Sequence, residues 1–280
     1  MAVTFEVKFA YNTLVYAGED IAEGIRRIAH YGYEGVEFIG EPDELNSEVI
    51  KNHLKSNNIL ASSICSLFNM ERDLVSSDKK VRKNTVEYIK KNISFAAEIN
   101  AGVVIVSPTA CMKIHPEASI DKEWAWAVEG IKEAAEVAKD HDVVLVIEAW
   151  NRYETYMINR LDQSMKMVDD VGMDNVGTMG DTFHMNIEEQ NIAHAIKKAK
   201  GYLRHIHFAD STRAAPGHGH IDFKAVAAAI KDIGYRGYIS MELLPAAADP
   251  FSVLGGGDNQ EFYDEYTEES IRYVKRLFYP

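Results

Sequence analysis

Short apolar runs alternate along the chain with longer segments in which apolar residues recur every three or four positions. Short runs bounded by turn residues are typical of buried β-strands, and the longer period is typical of amphipathic helices. In the segment 19–32, for example, Ile21, Ile25 and Ile28 share one helical face. The apolar runs occupy residues 6–12, 35–40, 60–65, 102–108, 143–150, 175–182, 203–210 and 237–244. This alternation predicts eight strands separated by helices.

Eight strand–helix units within 280 residues predict an α/β fold, a (β/α)8 TIM barrel, as a single domain over residues 1–280. A doubly wound parallel sheet is the alternative arrangement. Its dinucleotide-binding version is disfavoured, because no Gly-x-Gly-x-x-Gly motif follows the first predicted strand.

Composition and charge narrow the possible partners and the location of the protein. The formal net charge of −13 at pH 7 disfavours nucleic acid as a general partner, because phosphates would be repelled. No apolar stretch approaches the ~20 residues of a membrane span. The N-terminal segment MAVTFEVKFAYN has no basic region followed by an apolar one, so no secretory signal is visible. We therefore expect a cytoplasmic protein with no membrane partner.

The last four predicted strands each end near a residue type that binds metals, namely Glu148, Asp181, His207 and Glu242. The ends of neighbouring strands meet on one face of a barrel, where barrel enzymes place their active sites. Three carboxylates gathered there would repel one another or take up protons, unless a cation lay among them. Oxygen-rich ligation with one nitrogen suits Mn2+, Mg2+ or Co2+ better than structural Zn2+. The pattern predicts one divalent metal site, with Mn2+ preferred.

Further polar residues follow these candidate ligands at short spacing. Glu154 lies six residues after Glu148, His184 lies three after Asp181, and Arg213 lies six after His207. Hydrogen-bonding groups around a metal suit a polyhydroxyl ligand, so we expect these three to bind substrate. His205, two residues before His207, should point to the same side of its strand, one layer deeper.

Four segments of the second half resemble the xylose-isomerase-like barrel superfamily of sugar isomerases and epimerases, and within it the D-tagatose/D-psicose (ketose) 3-epimerases. They are IEAWNRYET (147–155), GDTFHMNIEE (180–189), HIHFADSTR with PGHGHIDF (205–223), and MELLP (241–245). The resemblance implies that the four candidate ligands bind the metal and that Glu154, His184 and Arg213 contact the sugar. It also implies a cis-enediolate route in which Glu148 and Glu242 exchange a proton on opposite faces of one carbon.

Two departures from the epimerase motifs leave a second reaction open. Ala149 stands where the epimerases usually carry proline, and Glu242 is followed by Leu-Leu-Pro. The latter form resembles the catalytic subunits of C-glycoside deglycosidases, which act on 3-oxo-glycosides together with a small β-rich partner subunit. In that lyase-like alternative, enolisation is followed by elimination of the aglycone, and His115 in the segment 111–119 is the candidate acid or base.

Other classes remain as alternatives. A DNA-repair endonuclease of the same superfamily would need more histidines and a less acidic chain, and a non-catalytic binding barrel would lack metal and enolisation. An activity similar to that of hydroxypyruvate isomerase, on a short substrate, stays open. The resemblance implies a homo-oligomer, or the partner subunit if the chain is a deglycosidase. The substrate itself is not determined by the sequence.

Overall fold

The computed structural model describes residues 6–16, 18–244 and 260–279, and its centre is a closed barrel of eight parallel strands. The strands follow one another around the barrel in chain order, and β8 pairs with β1. They are β1 (Lys8–Asn12), β2 (Gly35–Gly40), β3 (Leu60–Ser66), β4 (Val103–Val106), β5 (Val144–Glu148), β6 (Val176–Asp181), β7 (Leu203–Phe208) and β8 (Tyr238–Met241). This topology confirms the predicted (β/α)8 TIM barrel.

Helices connect the strands and cover the outside of the barrel. They are α1 (Ile21–His30), α2 (Ser47–Ser56), α3 (Lys79–Ile99), α4 (Ile120–Asp140), α5 (Leu161–Val171), α6 (Thr182–Glu188), α7 (Ile192–Lys198), α8 (Phe223–Asp232) and α9 (Gln260–Phe278). Several begin at an Asp or Asn whose side chain accepts a backbone N–H of the first turn, as Asp78 does for α3. Such caps satisfy donors that the helix itself leaves unpaired. Within the described residues, no helix is long and apolar enough to cross a membrane.

The apolar core has two parts, because side chains alternate between the two faces of each strand. Leu145 and Ile147 of β5 belong to the large core between strands and helices. Val146, between them, packs with Cys65, Ile105 and Met179 in a small separate cluster. The alternation places this second cluster inside the barrel. The next inward position on β5 is therefore Glu148, at the carboxyl end of the strand.

Candidate metal centre and active site

The structure brings the four predicted ligands together at the carboxyl ends of β5 to β8. Glu148, Asp181, His207 and Glu242 are all buried, and each offers one ligand atom within 4.8 Å of the other three. His207 Nδ1 lies 3.2 Å from Glu242 Oε2, 3.8 Å from Asp181 Oδ2 and 3.9 Å from Glu148 Oε1. The register of neighbouring strands produces this convergence, since Asp181 pairs with His207 across β6 and β7.

This cluster fits a divalent cation. Glu148 Oε1 is buried and has no hydrogen-bond partner among the described residues, a costly arrangement for a carboxylate oxygen that lacks a cation. Three carboxylates and one imidazole form an oxygen-rich donor set of the kind that Mn2+, Mg2+ and Co2+ prefer.

The pKa values of the two glutamates of the cluster shift in opposite directions. Burial, and then the neighbouring carboxylate of Glu242, raise the pKa of Glu148 to about 8. Burial also opposes ionisation of Glu242, but His207 and Arg213 outweigh it and hold the pKa of Glu242 below its usual value. In the absence of a cation, the pKa values of the two glutamates therefore shift in opposite directions, because their neighbours differ.

Arg213 contacts two of the candidate ligands directly. Its guanidinium donates hydrogen bonds to Asp181 Oδ2 and to Glu242 Oε2, and it lies over the ring of Phe183. The backbone of Arg213 is in the left-handed region, with φ of 64°. Its N–H donates to the carbonyl of Asp210, and its carbonyl accepts from the N–H of Leu244. This tight turn after β7 directs the side chain back over the barrel mouth, where we predicted a substrate contact.

Glu154 and His184 form a second group beside the cluster, connected by Asn151. The side-chain amide of Asn151 donates to Glu154 Oε1 at 2.8 Å, and its backbone N–H donates to His184 Nδ1 at 3.2 Å. Because Nδ1 of His184 accepts this bond and burial lowers the pKa of the ring, the neutral ring carries its proton on Nε2. His184 Nε2 lies 4.0 Å from Asp181 Oδ2. A proton donor and a carboxylate thus lie beside the candidate metal site, as groups that bind sugar hydroxyls would.

The loop between β4 and α4 carries His115, which is exposed; its role as a further acid or base remains a prediction. The base of this loop is anchored on two sides. Lys113 Nζ lies 2.7 Å from the buried Asp73, and Thr109 is hydrogen-bonded to Thr155 at 2.7 Å. Cys111 Sγ lies 3.7 Å from Glu154 Oε2. The loop therefore adjoins the polar group around Glu154.

Two buried polar residues behind the cluster were not predicted from the sequence. Glu37, in the middle of β2, lies 2.7 Å from His205 Nε2 and 2.8 Å from His207 Nε2. The side-chain amide of Asn12, the last residue of β1, donates to both Glu37 and Glu242. The structure confirms that His205 points to the same side as His207, one layer deeper. A charged residue inside the apolar run GVEFIG was the available signal for Glu37.

Comparisons with known proteins agree with the fold and identify the family. The family model described as "Xylose isomerase-like TIM barrel" matches residues 25–276. A D-psicose 3-epimerase of Ruminiclostridium cellulolyticum is 32% identical over 237 residues, which is 83% of this chain and 78% of the relative. A 3-dehydro-D-guloside 4-epimerase of Escherichia coli is 28% identical over 252 residues, which is 87% of this chain and 95% of the relative.

Solved structures show the same fold. A crystal structure of D-psicose 3-epimerase with D-tagatose, from Clostridium cellulolyticum, superimposes with a TM-score of 0.88 at 24% identity. The superposition covers 97% of this chain and 99% of the other.

Proposed function

We propose, because this chain belongs to the xylose isomerase-like TIM barrel family, that it is a divalent-metal-dependent sugar epimerase or isomerase acting on a ketose. The observation that carries the proposal is the buried cluster of Glu148, Asp181, His207 and Glu242 at the barrel mouth. A bound divalent cation would supply Lewis-acid polarisation of a sugar carbonyl and its neighbouring hydroxyl. Mn2+ is the first ion to test.

Glu148 and Glu242 carry the proton exchange in this proposal. They extend from β5 and β8, which are separated by two strands around the barrel, so their carboxyl groups approach the centre from different directions. One ionised carboxylate removes the proton from the carbon beside the carbonyl and leaves a cis-enediolate. The other, protonated, carboxyl group returns a proton to the opposite face and inverts the centre. Which of the two removes the proton depends on which face of the carbon carries it, so either can act first.

Glu154, His184 and Arg213 bind and orient the sugar hydroxyls. Glu154 accepts hydrogen bonds, while the His184 Nε2–H and the Arg213 guanidinium donate them. Glu154 and Arg213 lie on the loops after β5 and β7, and His184 lies in helix α6 directly after β6. A substrate bound between them would present the carbon that reacts to Glu148 and Glu242.

A second candidate substrate is a 3-oxo-glycoside, supported by the relative named for a 3-dehydro-guloside. The same first step, removal of a proton next to a carbonyl, would serve either epimerisation or elimination of an aglycone. Elimination additionally requires a proton donor for the leaving group, for which His115 is the candidate. A small partner subunit would accompany this second reaction.

The test is deuterium incorporation in D2O with Mn2+, using free ketoses and 3-oxo-glucosides and detection by mass spectrometry. Deuterium at C3 of a ketose together with the epimeric product is the expected result. Aglycone release without exchange in ketoses would instead favour the glycoside reaction. A Glu148→Gln variant is the matched control and should show neither. A protein that binds no Mn2+ and exchanges no substrate proton would contradict both candidates and favour a non-catalytic barrel.

A further inference from the structure

A second buried polar group lies inside the barrel beneath the candidate metal centre. It comprises Asn12, Glu37, Ser63 and His205, here called the inner polar group, and its members are almost completely inaccessible to solvent. We propose that Glu37 is a positioning residue of the metal centre, which holds His207 with Nδ1 toward the ligand carboxylates and, through Asn12, fixes Glu242. This inference rests on the proposed metal-dependent function.

The orientation of His207 is the first step of the argument. The two ring nitrogens of His207 face different groups: Nδ1 faces the ligand carboxylates, and Nε2 lies 2.8 Å from Glu37 Oε1. A carboxylate oxygen only accepts hydrogen bonds, so a proton on Nε2 is required for a favourable contact. A histidine binds a metal through an unprotonated ring nitrogen, and a proton on Nε2 leaves Nδ1 as that nitrogen. Glu37 therefore selects the form of His207 in which Nδ1 binds the metal.

Glu37 itself is held in one position by three hydrogen-bond partners, and the ring of His207 lies at ion-pair distance from it. Its Oε1 accepts from Asn12 Nδ2 at 2.8 Å and faces His207, while its Oε2 accepts from Ser63 Oγ at 2.5 Å and lies 2.7 Å from His205 Nε2. These are hydrogen-bond distances, and they use both carboxylate oxygens. The inner polar group is thus a hydrogen-bonded support, and we do not expect it to bind an ion of its own.

Asn12 extends the support to Glu242. The side-chain carbonyl of Asn12 accepts the N–H of Leu14 at 2.8 Å, which fixes the direction of its amide. The amide nitrogen then donates to Glu37 Oε1 at 2.8 Å and to Glu242 Oε1 at 3.1 Å. Because Oε1 of Glu242 is held by Asn12, Oε2 is the oxygen that faces His207 Nδ1. One amide therefore couples Glu37 to a second candidate ligand.

The variant that tests the proposal is Glu37→Gln, which keeps the shape of the side chain but replaces one acceptor oxygen by a donor group. Either His207 and Asn12 or Ser63 and His205 then lose their acceptor. Contacts between metal ligands and the residues behind them typically change metal affinity by about 10- to 100-fold. We expect a loss of Co2+ affinity in that range, measured by competition with a chelator. The visible absorption of bound Co2+ should also change, which a general loss of stability would not cause.

Ser63→Ala is the matched control. It removes a donor to the same carboxylate but leaves the contact between Glu37 and His207 in place. We expect its Co2+ affinity to stay within about threefold of the wild-type value, compared with the 10- to 100-fold loss expected for Glu37→Gln. The spectrum of bound Co2+ should not change.

A measurement on the unsubstituted protein tests the orientation of His207 even if the Glu37→Gln variant does not fold. In 15N NMR spectra of the histidines with bound Zn2+, we expect His207 to show a metal-bound Nδ1 and a protonated, slowly exchanging Nε2. Metal bound through Nε2 would overturn the proposal.

The remaining outcomes separate the inference from the proposed function. If the unsubstituted protein binds no divalent cation, the proposed function fails. If it binds Co2+ and Glu37→Gln binds it equally well with the same spectrum, only the role of Glu37 fails. Two ions bound per chain would overturn the inference as well, because Glu37, His205 and His207 would then form a metal site of their own.

Discussion

Replacing Glu148 by glutamine should make the metal-free protein more stable while abolishing turnover. Glu148 Oε1 is buried and has no hydrogen-bond partner in the part of the chain that the structure describes, and Glu242 lies in the same cluster. Ionised Glu148 is therefore unfavourable in the folded protein when no cation is present. Glutamine has nearly the same shape and no charge, so it removes this cost together with the group that exchanges the proton.

The magnitude follows from the pKa of Glu148, which rises from 4.5 to about 8 on folding. Each pH unit corresponds to about 1.4 kcal/mol, so the ceiling of the effect is about 5 kcal/mol at pH 8 and above. Rearrangement of neighbouring groups and entry of water relieve part of this cost, and we expect roughly 2–4 kcal/mol.

The direction in which the stability difference changes with pH depends on whether the folded or the unfolded protein holds the proton of Glu148. The folded protein keeps the proton on Glu148 up to about pH 8, while the unfolded chain releases it near pH 4.5. The unsubstituted protein thus loses stability relative to the variant as the pH rises through this window. Near pH 4.5, the difference should fall below about 1 kcal/mol.

The assay is urea unfolding in the presence of EDTA at pH 4.5, 6.5 and 9, with turnover measured separately with Mn2+. Glu136→Gln is the matched control, because it makes the same change at an exposed position of α4 and should alter neither quantity. Equal or lower stability of Glu148→Gln at pH 9, or retained turnover, would refute the reasoning.

Three further predictions test the surroundings of the site. Metal binding at pH 6.5 should release between about one and two protons, because Glu148 and His207 both hold protons that a cation displaces. The number of protons released should fall toward pH 9, and calorimetry in buffers of different ionisation enthalpy measures it. Glu154→Gln should raise KM about tenfold with a smaller change in kcat, and kinetics showing an unchanged KM would contradict its role in substrate binding. Lys113→Met should lower the free energy of unfolding by about 3 kcal/mol, because it leaves the buried Asp73 carboxylate without the Lys113 ammonium group. Adding Asp73→Asn should recover more than half of this loss, and urea unfolding of both variants measures it.

The sequence predicted the barrel well, because apolar residues recur with different periods in strands and in helices. Each strand–helix unit of the barrel repeats both patterns. β2 was predicted over residues 35–40 and is observed over Gly35–Gly40. β5 was predicted over residues 143–150 but ends at Glu148. Ala149 and Trp150 are apolar and buried, so hydrophobicity continues past the strand, whereas the Trp150 N–H already bonds within the loop, to Ile158. Periodicity detects burial, and it does not detect where ladder hydrogen bonds stop.

The candidate ligands were predictable because each one lies within one residue of the end of a strand, and strand ends converge by topology. Glu37 was not, because it lies in the middle of a strand and its partners come from strands far apart in the sequence. Only closure of the barrel brings β2 within hydrogen-bond distance of His205 and His207 on β7. Pro245 of the motif MELLP lies outside the described residues. The lyase-like alternative that rests on this departure from the epimerase motifs therefore stays a prediction.

The difference between Glu148 and Glu242 shows how a repeated fold produces a pair of unlike groups from the same residue type. β8 lies between β7 and β1, and these strands place His207 and Asn12 beside Glu242. β5 lies between β4 and β6, and Glu148 pairs in register with Met179, so Oε1 of Glu148 receives no donor from the described residues. An eight-fold repeat with identical neighbours would give both glutamates the same contacts and the same pKa. The polar residues of β1, β2 and β7 break this symmetry, and they are therefore as necessary to the proposed chemistry as the two carboxylates that perform it.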